Sequence, residues 1–94
     1  MFVTTLAGKF PTGRIMITSG AKAALSEQEQ FTALFRHVSG DWGELCEQDQ
    51  RVNDVALRYG GRLLSRYCSQ SGTIFWIITE WDRSVTTILL PEEY

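Results

Sequence analysis

The stretch TIFWIITE, Thr73–Glu80, constrains the fold more than any other part of the chain. In an extended strand successive side chains point to opposite faces. Ile74, Trp76 and Ile78 therefore share one face and Phe75 and Ile77 the other, and both faces are apolar. Such a strand needs an interior position and cover on two sides. Its neighbours supply the first requirement. Arg62–Cys68 and Ser84–Leu90 are rich in β-branched and aromatic residues, and only SQSG (69–72) and WDRS (81–84) separate the three runs. Short connections make the three strands an antiparallel meander with Thr73–Glu80 in the centre. The polar interruption Thr79-Glu80-Trp81-Asp82-Arg83-Ser84 then reads as a hairpin turn.

The helices precede the strands. Ser26-Glu27-Gln28-Glu29 has the form of a capping box, and Phe31, Leu34, Phe35 and Val38 follow at helical spacing up to Ser39-Gly40. Asp41 and Glu44 repeat the cap-plus-three pattern. This predicts a second long helix from about Trp42 to Tyr59, ended by Gly60-Gly61, with the stripe Trp42, Leu45, Val52, Ala56 and Tyr59. Asp49 lies in the same sector, at the rim of the core or paired. Arg14–Thr18 is a possible short strand, and Ser19 introduces at most a short helix. Residues 1–13 hold Gly8, Pro11 and Gly13 without sustained periodicity and read as a flexible arm.

The expected architecture is one α+β domain over 14–94, with N-terminal helices packed on a three-stranded antiparallel β-meander. The 94 residues suffice for a single core, and 44% apolar with 21% charged content is that of a globular chain. Helices can cover one face of the sheet. The other face calls for a protein partner, an identical subunit forming a homodimer, or the N-terminal segment.

Charge and cysteine usage exclude several classes. A net charge of −2 lacks the basic footprint of a phosphate-dominated partner. Cys46 and Cys68 form no disulfide framework, the N-terminus lacks a secretory pattern, and no apolar run approaches a membrane span. The reading is a cytoplasmic protein with reduced thiols and no membrane contact.

Candidate chemistry is sparse. His37 is the lone histidine, and its separation from Cys46 and Cys68 matches no metal-ligand spacing, so no metal or cofactor is assigned. A histidine at a helix end, beside the C-terminal dipole, is the simpler reading. Asp41, Glu44, Glu47, Asp49 and Asp54 crowd one segment as a solvated acidic face. Glu80 and Asp82 resemble the tail of a nuclease motif, but Arg83 stands where a basic residue able to release a proton is needed. A small metal-dependent hydrolase on Asp41, Glu44, Glu80 and Asp82 is therefore the third reading, and no catalytic residue is named. Arg58, Arg62 and Arg66, interleaved with Tyr59 and Tyr67, form the one basic cluster. It supports the alternative of a nucleic-acid-binding module, against salt bridging to the acidic helix. A winged helix fails on the charge of the helix that would enter the groove.

From Met16 to Tyr94 the chain resembles a family of small bacterial proteins often carried on plasmids and mobile elements. The resemblance rests on GDWG (40–43), Asn53, the G-R-L-L-S-x-Y run at Gly61–Tyr67, and WIITE-x-DRS-x-TT-x-LLP-x-EY at 76–94. Some relatives are labelled restriction-modification methylation subunits. This chain has no Asn-Pro-Pro-Tyr-type motif and no glycine-rich cofactor loop, and that label is rejected. The resemblance implies no established activity. It points by association to an accessory or anti-defence factor, of anti-CRISPR or anti-restriction type. Trp81 occupies a position where the family pattern leads one to expect a smaller side chain. The leading expectation is a non-enzymatic protein-binding module using Glu80, Trp81, Asp82 and Arg83, without a cofactor.

Overall fold

The structure, a computed structural model, describes residues 8–94. Its elements in order are β1 (Arg14–Ile17), α1 (Ser19–Ala24), α2 (Glu27–Val38), α3 (Glu47–Tyr59), β2 (Leu63–Cys68), β3 (Ile74–Thr79) and β4 (Val85–Leu89), closed by a 3₁₀ turn at Pro91–Glu93. The α+β class holds, and β2, β3 and β4 form the antiparallel meander with β3 inside. The sheet has four strands, however, in the order β1-β4-β3-β2, and is mixed. The possible strand at Arg14–Thr18 joins β4 in parallel, with Ile15 opposite Thr86 and Ile17 opposite Ile88. A parallel neighbour requires a long crossover, which the intervening helices provide.

Those helices cover one face. Phe75 and Ile77 of β3, Tyr67 of β2 and Ile88 of β4 pack with Ala21, Leu25, Ala33 and Leu34. A second cluster joins Leu63 to Val38, Trp42, Ala56 and Phe10. The opposite face carries Ile74 and Trp76, both half-buried, and Ile78, which is buried, and Tyr94 meets the Trp76 ring edge-on at 5.7 Å.

α2 begins at the expected capping box: Ser26 Oγ accepts from the Glu29 amide and the Glu29 carboxylate from the Ser26 amide, both at 3.0 Å. Its buried side is the expected one only in part, with Leu34 and Val38. Ala33, Leu34, His37 and Val38 point inward, while Phe31 and Phe35 remain 56% and 51% exposed. The helix is turned so that His37 reaches hydroxyls on β2 and β3.

The second long helix starts later than expected, at Glu47 after Cys46, and Asp41 is not its cap. In a capping box Asp41 would accept from the Glu44 amide. That amide instead donates to Arg66 O at 2.7 Å, and Arg66 N donates to Trp42 O at 3.1 Å. Residues 41–46 thus pair with the free edge of β2. Gly43 allows it, with φ +77° and a position where a Cβ would collide with Arg66 O. Trp42 is buried as expected, but from this loop, and its indole N–H donates to Asp54 at 3.0 Å. On α3 the buried residues are Asn53 and Ala56, whereas Val52, Tyr59 and Asp49 face solvent. Asn53 replaces a neighbouring strand: its amide group donates to Leu64 O and its carbonyl accepts from Leu64 N.

The expected arm is docked over its described part. Phe10 lies in the core against His37 and Trp42, and Lys9 N donates to Val38 O at 2.7 Å. The rest of that arm, residues 1–7, lies outside the described residues. No helix among the described residues is long and apolar enough to cross a membrane.

Candidate functional site

The polar interruption between β3 and β4 is a turn of unusual construction. Arg83 N donates to Glu80 O at 2.9 Å, and Glu80 N to Val85 O at 3.0 Å. Asp82 Oδ1 accepts from Ser84 N at 3.1 Å and from Ser84 Oγ at 2.6 Å, the side-chain closure expected of aspartate in turns. The Ser84 hydroxyl holds the Asp82 carboxyl below its ordinary pKa. Arg83 takes the left-handed position, φ 61°, that hairpins of this kind usually give to glycine.

Its side chain explains why an arginine stands there. Arg83 Nη1 donates to Gly61 O at 2.6 Å and to Glu80 O at 3.1 Å, and Nη2 donates to Ala56 O at 3.0 Å. The guanidinium lies 5.8 Å from the centre of the Phe10 ring. One cation thus binds Ala56 O, which also accepts from the Gly60 amide, and Gly61 O just past the end of α3, where the helix dipole favours positive charge. It also ties the turn to that helix end.

The four residues expected to bind a partner therefore divide. Arg83 faces inward as a clamp, and Asp82 and the Glu80 backbone shape the turn. Trp81 is the one that stands out, 70% exposed. The clamp holds its backbone close to the last turn of α3, which exposes Val52, Val55 and Tyr59, the last at 76%. Val52, Val55 and Tyr59 are spaced i, i+3 and i+7, so they form a stripe along one side of that helix. Arg58 lies beside it, in a shallow groove with Asp54, Val55 and Tyr59.

The Arg58, Arg62, Arg66 and Tyr67 cluster is dispersed. Arg62 lies over the Tyr94 ring and donates to its hydroxyl. Arg66 is 3.8 Å from Glu44. Tyr67 points to the covered face and is buried there, where its hydroxyl donates to Asp41 O at 2.6 Å. Burial pushes that hydroxyl's pKa up. A groove of about 280 Å³ between α2 and the β2–β3 turn contains Arg36 and Glu29. Both charges are engaged: Arg36 with Asp41 at 2.7 Å, and Glu29 with Ser26 N and Gln70 N.

The acids of the hydrolase reading are also apart. Asp41 and Glu44 sit in the loop along β2, and Glu80 and Asp82 in the β3–β4 turn. Among the described residues no three His, Cys, Asp or Glu side chains group as metal ligands.

His37 is not at a solvated helix end. It is fully buried, with Nδ1 2.6 Å from Ser65 Oγ and Nε2 2.9 Å from Thr79 Oγ1. Thr79 Oγ1 is 2.7 Å from Thr86 Oγ1, which donates to Thr12 O at 2.7 Å. Because the Thr86 proton goes to a carbonyl, Thr79 donates to Thr86 and accepts from Nε2–H, so Nδ1 accepts from Ser65. Burial first, and the Arg83 charge second, push the His37 pKa down to about 3. A histidine beside a serine hydroxyl is the pairing that activates a nucleophile, but Ser65 is fully buried too and no substrate reaches it. The chain of hydroxyls is structural.

The sequence assigns no role to Asn53 or Phe10, and it does not foresee the inward bonds of Arg83. A polar residue on the helix side that packs on the sheet marks Asn53. No local signal marks Arg83, whose partners lie 22 and 27 positions away. In comparisons of the chain with protein-family models, curated proteins and solved structures, nothing matches.

Proposed function

We propose that the chain is a non-enzymatic protein-binding module whose contact surface is Trp81 with the exposed stripe of α3. The observation that carries this reading is the Arg83 clamp. An exposed tryptophan on a turn tied to the end of α3 supplies the aromatic anchor of an interface hot spot, and a turn held before binding loses little entropy on binding. Arg83 takes an unfavourable backbone conformation to hold that turn, the kind of local strain that clusters at functional places. A role as accessory or anti-defence factor of a mobile element rests on the family resemblance alone. The nucleic-acid alternative is weaker, since Arg62 and Arg66 already have partners and Tyr67 is buried.

The test is capture from host extract on the immobilised protein, with nuclease treatment and at two salt concentrations. A specific partner should survive both. Trp81→Ala should weaken its capture by about 2 kcal/mol while leaving stability within about 0.5 kcal/mol. Val55→Asp should act in the same direction. Capture that is lost with nuclease, or unchanged in both variants, overturns the reading.

A further inference from the structure

The two edges of the sheet are treated in opposite ways. The β2 edge is closed by Asn53 at Leu64 and by residues 42–44 at Arg66. β1 forms the other edge. Arg14 N donates to Ser84 O and Thr18 N to Ile88 O, so the even-numbered residues of β1 face β4. Ile15 and Ile17 therefore turn their amides and carbonyls outward, where no described residue pairs with them. Ile15 and Met16, one on each face, are 45% and 46% exposed. An open apolar edge is a template for another strand, and proteins that remain monomeric commonly block it with charge, proline or a bulge.

We propose that a second copy of this chain pairs with β1 in antiparallel orientation, giving one eight-stranded sheet across a two-fold axis. One self-complementary register, centred on Met16, satisfies the outward groups of both Ile15 and Ile17. Ile15 opposite Ile17 of the second copy uses all four outward groups of each chain, in four hydrogen bonds. Met16 then meets Met16 at the axis as a non-hydrogen-bonded pair. Arg14 comes opposite Thr18, on the same face. Thr18 Oγ1 donates to the Glu93 carboxylate at 2.5 Å, and Gly20 N donates to that carboxylate at 3.0 Å. Arg14 is in none of the ion pairs formed within the described residues. The register thus brings a guanidinium to a carboxylate twice, once on each side of the axis. Such an isologous contact closes and adds no further copies. The contact is made by residues 14–18 of β1 and by neither Trp81, in the β3–β4 turn, nor α3, which packs at β2, so it stands independently of their role.

Sedimentation of the full chain at high micromolar concentration should give twice its 10.7 kDa mass. Ile15→Pro removes an outward amide without touching the β4 ladder, and Met16→Lys sets like charges at the axis. Both should give monomers that melt where the wild type melts once it is diluted until it too is monomeric. Arg14→Glu should weaken dimerisation by about tenfold. In a Cys46→Ser, Cys68→Ser background, Met16→Cys should form an interchain disulfide on mild oxidation. Thr87→Cys, one strand inward on the same face, should not. If Ile15→Pro fails to fold, the cross-link decides. A monomeric wild type overturns the proposal, as does a dimer that Met16→Cys does not cross-link.

Discussion

His37 and Arg83 each join three parts of the chain, and they do it in opposite environments. His37 leaves α2 to meet Ser65 on β2 and Thr79 on β3, wholly out of water. Arg83 leaves the β3–β4 turn to meet the end of α3 and Gly61 at the border of solvent. The buried hub works only as a neutral group, because an imidazolium there would lose its hydration without gaining a counter-charge. The border hub works because it is charged, since its partners are carbonyls at a negative helix end. The two also interact, as the Arg83 charge adds to burial in holding His37 neutral. Burial decides which kind of hub a position tolerates, and that difference can be tested by substitution and by pH.

The largest effect should come from His37→Ala. It removes two hydrogen bonds, leaves Ser65 and Thr79 buried with one partner fewer, and opens a cavity at the centre of the sheet. A loss of about 3–4 kcal/mol is expected from denaturant titration. If the loss stays below about 1 kcal/mol, water or repacking replaces the imidazole, and the hub is not what holds α2 on the sheet.

That hub also shows why part of the fold was legible in the sequence and part was not. The Ser26–Glu29 box, the Gly60-Gly61 stop and the three meander strands carry their signals within a few residues, and all appear where expected. The inward side of α2 does so only at Leu34 and Val38. Apolar periodicity counts His37 as polar and Phe35 as apolar, whereas the helix is oriented by Ser65, Thr79 and Thr86, tens of residues away. The start of α3 fails for a similar reason, because the amide Asp41 would cap is taken by Arg66 on a strand formed later in the chain. The Trp81 turn was legible as a turn, while the sequence left Trp81 either folded onto the sheet or exposed. The inward course of Arg83 was not, as its carbonyl partners exist only once α3 has ended beside the turn.

A pH titration should show the second effect. The pKa of His37 is about 3 in the folded chain against an ordinary 6.5, so the unfolded chain binds more protons between those values. Stability is then complete above about pH 6.5 and falls as the pH drops, by about 2 kcal/mol between pH 7 and pH 5. Carboxylates whose pKa is held down, such as Asp41 beside Arg36, act only at lower pH and leave this window clear. His37→Gln should flatten the curve over the same range. A wild-type curve already flat between pH 7 and 5 shows that the buried site accepts the proton.

Arg83 should show the smallest effects, and they separate its two roles. Arg83→Ala loses the bonds to Ala56 and Gly61, but Ala56 O keeps the Gly60 amide, and Gly61 is partly exposed so that its carbonyl rehydrates. About 1.5 kcal/mol is the expected cost, less than half that at His37. It also removes a nearby charge, but burial is the larger cause and still holds the folded His37 well below pH 5, so the decline between pH 7 and 5 should be unchanged. Arg83→Gly loses the same bonds and the same charge, yet it relieves the left-handed backbone at φ 61°. The glycine variant should therefore be more stable than the alanine variant by about 1 kcal/mol, with an identical pH curve. Equal stabilities mean that the turn relaxes out of the left-handed region once the guanidinium is gone. The clamp, rather than the hairpin, would then be what creates the strain and fixes the place of Trp81.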